Sequence, residues 1–79
     1  MLKAMRPNGL YLVNRHHGRQ TVARWSGDAA KWAGGTGLFF DPFGSQFGEG
    51  WCDVIRGPLD EAEAKRLHAA MFGDLDFAL

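Results

Sequence analysis

The stretch LYLVNRHHGRQTVARW, residues 10–25, decides the fold. Leu10 to Arg15 is apolar and rich in strand formers, and Gln20 to Ser26 carries Thr21, Val22 and Trp25. His16-His17-Gly18-Arg19 separates them with a glycine. Two strand-like runs around a glycine turn read as a β-hairpin. A two-residue turn at His17-Gly18 pairs Leu12 with Ala23 and Leu10 with Trp25. Moving the turn to Gly18-Arg19 changes the pairs but keeps the faces. Leu10, Leu12, Ala23 and Trp25 then form a wholly apolar face for the core. Tyr11, Val13, Arg15, Gln20, Val22 and Arg24 form a mixed outer face.

Outward from the hairpin, Pro7-Asn8-Gly9 marks a turn before it and Ser26-Gly27-Asp28 a turn after it. Ala29 to Ala33 reads as a short strand or extended segment ending near Trp32, stopped by Gly34-Gly35. Gly37-Leu38-Phe39-Phe40 is a further strand candidate. Asp41 to Gly50, with Pro42, Gly44 and Gly48, reads as a long loop. Trp51 to Arg56 reads as the last strand, ended by Gly57-Pro58.

A helix follows from about Glu61 to Phe72. Asp60 is a good N-cap, and Glu63 three residues later completes a capping box. Asp60, Glu61 and Glu63 complement the positive end of the helix dipole. Ala64, Leu67, His68 and Met71 form a stripe at helical spacing, and Gly73 is a natural C′ residue. In the tail, Leu75, Phe77 and Leu79 alternate with acids or alanine, a pattern that docks on the domain. The expected architecture is a single α+β domain: a small antiparallel sheet of three or four strands with one C-terminal helix packed on one face. Leu67 and Met71 would meet Leu10, Leu12 and Trp25.

At 79 residues there is room for one core and little for an enclosed cavity beside it. Apolar residues make up 46%, which argues against global disorder. The formal charge of zero hides a split. Residues 1–40 carry six cations (Lys3, Arg6, Arg15, Arg19, Arg24, Lys31) and one anion (Asp28), a net +5. Residues 41–79 carry Arg56, Lys65 and Arg66 against eight anions, a net −5. Such segregation implies one basic and one acidic surface, fields that steer and select partners. A single cysteine, Cys52, excludes an internal disulfide and fits a reducing cytosol. No apolar run is long enough for a signal peptide at the start or for a membrane span.

Catalytic and metal chemistry find little support in the residue pattern. His16, His17, Cys52 and His68 are the soft metal ligands, and adjacent strand residues such as His16 and His17 point to opposite faces. No Cys-x-x-Cys or His-x-x-x-His spacing occurs. Cys52 sits inside a strand candidate, where cysteine behaves as a small hydrophobe. Gly34-Gly35-Thr36-Gly37 lacks the lysine and following helix of a phosphate-binding loop. The expectation is a protein that is not an enzyme, with no cofactor and no metal.

Binding chemistry is better represented. Phe39, Phe40, Phe43 and Phe47 place four phenylalanines in nine residues. Some must complete the core. Any that stay exposed beside Asp41 and Glu49 make an aromatic anchor with a polar rim, as in protein–protein hot spots. The basic half offers Arg15, His17, Arg19, Arg24 and Lys31. The candidate partner-binding set is therefore Arg15, His17, Arg19, Arg24, Lys31, Phe40, Asp41, Phe43 and Glu49. Arg15, Arg19, Arg24 and Lys31 could instead contact phosphates, with Tyr11 stacking on a base.

The layout Tyr11-Leu12-Val13, Val22-Ala23-Arg24-Trp25, Trp51 and Val54-Ile55-Arg56-Gly57-Pro58-Leu59 resembles small proteins of phages and other mobile elements. In size the chain is similar to anti-CRISPR inhibitors of multi-subunit type I complexes. The resemblance implies a protein in the cytoplasm of a bacterial host that occludes a nucleic-acid-binding surface of a larger complex. It carries no residue-level role. The neutral net charge departs from strongly acidic nucleic-acid mimics and favours charge-complementary docking on a protein partner. A small nucleic-acid-binding module and a phage structural accessory protein are the alternatives.

Overall fold

The computed structural model describes residues 6–28 and 37–73. The fold is α+β: a five-stranded antiparallel sheet and one C-terminal helix. The strands are β1 (Gly9–Arg15), β2 (Gln20–Ser26), β3 (Leu38–Phe40), β4 (Gln46–Phe47) and β5 (Cys52–Leu59). A 3-10 turn, Glu49–Trp51, precedes β5, and the helix α1 spans Glu61–Phe72. Strand order is β4-β3-β2-β1-β5. The segment Ala29–Ala33 and the tail 74–79, both given structure by the sequence reading, lie outside the described residues.

The hairpin forms, but its faces are exchanged relative to expectation. Leu12 pairs with Val22, Tyr11 with Ala23 and Gly9 with Trp25. Asn14 and Gln20 are the last pair, so five residues separate the paired positions, an odd number. A shift of one residue in register moves every side chain of one strand to the other face. Leu10 and Leu12 consequently share a face with Val22, whereas Tyr11 and Val13 share one with Ala23 and Trp25. The apolar pattern did not discriminate between these registers because both faces are buried. Leu10, Leu12, Val22, Leu59 and Ala64 form one cluster, with Leu67 and Met71 packed against it. Tyr11, Val13, Ala23, Trp25, Phe39, Phe47 and Cys52 form the other. Trp25 therefore does not meet the helix.

The second cluster requires a curled sheet. β4 and β5 are opposite edges, yet residues 48–51 alone join them. That connection spans about 17 Å at most. The edges of a flat five-stranded sheet lie about 19 Å apart. The sheet bends toward its aromatic face, bringing Phe47 and Cys52 into one cluster. Helix α1 covers the opposite, convex face over β1 and β2.

β5 runs through Gly57-Pro58 to Leu59 rather than stopping there. Pro58 donates no ladder hydrogen bond, which a strand at the sheet edge tolerates. Gly57, at φ +150°, lies against the Tyr11 ring, where a β-carbon would come within 2.3 Å of Cδ2. The helix matches its sequence signals. Asp60 Oδ1 accepts a hydrogen bond from Glu63 N at 2.7 Å, and Gly73, at φ +70°, closes the C-terminus by donating to Ala69 O at 2.8 Å.

Candidate binding surface at the hairpin tip

The β1–β2 tip, Arg15 to Arg19, is where most of the candidate residues converge. On the concave side, the Arg15 guanidinium lies 4.4 Å from the Phe47 ring centroid. Its Nη1 is 3.5 Å from Asp41 Oδ2. Asp41 is buried. Its Oδ1 accepts from Phe43 N at 3.0 Å and Ser45 N at 2.8 Å. This Asx turn shapes the β3–β4 connection. The Asp41 carboxylate is thus turned inward, onto its own turn and Arg15.

That turn projects Phe43 outward on the convex side, where it is 52% exposed. Its ring packs edge-on against Phe72, centroids 4.9 Å apart, and beside buried His68 at 6.0 Å. Arg19 reaches across from the tip and places its guanidinium 4.7 Å from the Phe72 centroid. The last helical turn has no basic residue of its own. Arg19 supplies a cation there, at the negative end of the helix dipole.

On the concave side the tip meets the connection that closes the curl. His16 N donates to Trp51 O at 3.0 Å. The His17 ring lies 6.3 Å from that of Trp51. Trp51 is 61% exposed. It was absent from the candidate set because it opens a strand candidate, and strand patterning alone does not reveal which edge side chains face water. The only local hint is its position after Gly48-Glu49-Gly50.

Other candidates fall elsewhere. Arg24 pairs with Phe40 across β2 and β3, toward the end of the sheet away from the tip. Arg24 is exposed and Phe40 half-buried. Glu49 is half-buried and accepts from Arg6 Nη1 at 3.0 Å. Lys31 lies outside the described residues. Of the four phenylalanines, Phe39 and Phe47 are core, Phe40 is intermediate and Phe43 is exposed. Tyr11 is 3% exposed and donates its hydroxyl to Pro7 O at 2.7 Å, so it is not a stacking surface.

The charge split of the sequence does not map onto two separate surfaces at these sites. Arg6–Glu49 and Arg15–Asp41 each join the basic half to the acidic half. Two of the cations also sit on core rings. Arg15 lies over Phe47, and the Arg6 guanidinium lies 5.1–5.5 Å from the centroids of Trp25, Phe39 and Tyr11. Arg6 and Arg15 thus tie the two halves together over the aromatic core by cation–π contact and ion pairing.

Burial pushes the Cys52 thiol above its ordinary value, with Asp53 and Glu49 adding to the effect and Arg6 and Arg15 opposing it. Such a thiol is a poor nucleophile near neutrality. Among the described residues no group of three His, Cys, Asp or Glu side chains is arranged to hold a metal ion. Nor is any described helix long and apolar enough to cross a membrane. No protein-family model, curated protein or solved structure matches the chain.

Proposed function

We propose that the chain is a non-enzymatic binding protein: a mobile-element inhibitor that docks on a bacterial defence complex of the type I CRISPR-Cas class and occludes its nucleic-acid-binding surface. The observation that supports binding is the pair of exposed aromatics, Phe43 and Trp51, flanking one cationic hairpin tip. Both are held in place before any partner arrives. Phe43 leans on Phe72 and follows the Asp41 turn, and the Trp51 backbone is anchored by its carbonyl bond to His16, with the His17 ring beside the indole. Side chains ordered in advance lose little entropy on association, which is how aromatic anchors become hot spots. Arg15 and Arg19 at the tip supply positive potential for steering toward an acidic rim. The defence-complex assignment is supported by size and by the resemblance in layout.

Affinity capture from a bacterial lysate tests the reading. Wild-type protein should retain a nucleic-acid-binding complex, and Phe43→Ala should lose it, whereas Ile55→Ala, on the opposite edge strand, should not. Binding to naked nucleic acid with no protein captured would replace this reading with a nucleic-acid-binding module.

A further inference from the structure

Near the tip, Arg15, His17, Leu38, Gln46, Phe47, Gly48 and Trp51 line an open depression of about 290 Å³. It lies where residues 48–51 close the curl between β4 and β5. Small-molecule sites have volumes upward of about 300 Å³, so this depression lies at the small end of that range. This depression suits one small planar ligand. We infer that it binds a single nucleotide, either a free nucleoside monophosphate or one unit of a single-stranded nucleic acid. The inference does not depend on the identity of the protein partner, and it makes no use of Phe43.

Three features select that chemistry. Trp51 presents a large, exposed indole at the rim, and every nucleobase has a face that stacks on it. Gln46 lines the depression from the two-residue edge strand, and such an edge presents unpaired backbone N–H and C=O groups, a donor and an acceptor of the kind a base edge needs. Arg15 and His17 place cationic or hydrogen-bonding groups on the same rim for a phosphate. The Arg15 side chain keeps 32% of its surface exposed while touching Asp41 and Phe47. Its guanidinium has five donors, more than those contacts use. Phe47 and Gly48 leave an apolar wall for the sugar. Stacking combined with one phosphate contact makes binding weak for a mononucleotide and stronger for a strand that reaches Arg19 as well.

The test is a titration of the ¹⁵N-labelled full chain, following the Trp51 indole N–H and the Gln46 side-chain amide. Ligands are AMP and UMP to about 5 mM, a short oligothymidylate, inorganic phosphate, and a glutamate-rich peptide of equal charge. Saturable shifts of both groups with the mononucleotides or the oligomer support the site. Shifts with mononucleotides alone identify free nucleotide as the source, and shifts with the oligomer alone identify a single strand. Trp51→Ala should weaken binding about tenfold, and Trp51→Phe should restore most of it. His17→Ala, at an exposed position, gives a second reading that does not disturb the core. No shift with any nucleotide or oligomer overturns the proposal, as do equal shifts with phosphate or the acidic peptide.

Discussion

Asp41 and Arg15 lie 26 positions apart in the chain, yet Asp41 Oδ2 stands 3.5 Å from Arg15 Nη1. The same carboxylate fixes the turn that displays Phe43, and the same guanidinium covers the Phe47 ring. One ion pair thus couples the hairpin tip, the β3–β4 turn and the aromatic core. Removing it should loosen the hairpin-tip end and the fold together. Asp41→Ala should cost about 1.5–3 kcal/mol, since it strips a buried charged acceptor from two backbone donors and one arginine. Urea denaturation measures this directly. Asp41→Asn, which keeps an acceptor for the turn, should cost less.

Gly57→Ala should be among the most damaging single-methyl changes in the protein. The added carbon would meet the Tyr11 ring at 2.3 Å, at a positive φ that alanine resists. A loss of about 2 kcal/mol or more is expected, read as a drop in Tm of several degrees. Gly50→Ala, with no atom within 4 Å of the new carbon, is the control and should be near neutral. Equal Tm values for the two variants would count against the packing of β5 on Tyr11.

The helix cap is local and its test is simple. Asp60→Ala removes the 2.7 Å acceptor of Glu63 N and should cost about 0.5–2 kcal/mol. An unchanged melting temperature would show that the cap contributes nothing in solution.

Stability should fall at alkaline pH. Burial raises the folded-state values of Tyr11 and Cys52 above their ordinary 10.0 and 9.0, with Arg6 opposing the shift at both. A raised folded-state pKa gives stability that is intact below the unfolded value. It is lost as pH rises, because the unfolded chain releases the protons that the folded chain retains. Unfolding free energy should therefore be level near neutrality and begin to decline as pH passes about 9. Denaturation curves across that window check this, and Cys52→Ala should delay the onset of the decline.

The helix and its cap were legible in the sequence because their signals are local: Asp60, Glu63, Gly73 and a stripe at helical spacing. The strand segments of the β1–β2 hairpin and β3 were legible for the same reason, but β4 lies within Asp41–Gly50, which reads as a loop, because a two-residue strand leaves no alternation to detect, and the sheet has five strands where three or four were expected. Register was not. With Tyr11, Val13 and Val22 as buried as Leu10, Leu12 and Ala23, hydrophobic alternation fits either face. Gly57-Pro58 read as a stop because proline breaks a ladder, but an edge strand has one side without a ladder. The surface was only partly legible. Aromatic density in the Phe39–Phe47 run pointed to Phe43, whereas Trp51 emerged only once residues 48–51 were seen to close the curl. The split in charge is conspicuous in sequence, and its main use in the fold, pairing Arg6 with Glu49 and Arg15 with Asp41, depends on contacts between distant segments.

The central claim is that the hairpin-tip end docks on a nucleic-acid-binding complex and blocks it. The most direct measurement is a gel shift of target DNA by a purified type I CRISPR-Cas effector complex, titrated with this protein. The account predicts that wild-type protein abolishes DNA capture at near-stoichiometric amounts, that Phe43→Ala does so only at a concentration about tenfold or more higher, and that Ile55→Ala behaves as wild type. DNA capture that is unchanged at saturating wild-type protein, or blocked equally by wild type and Phe43→Ala, would contradict it.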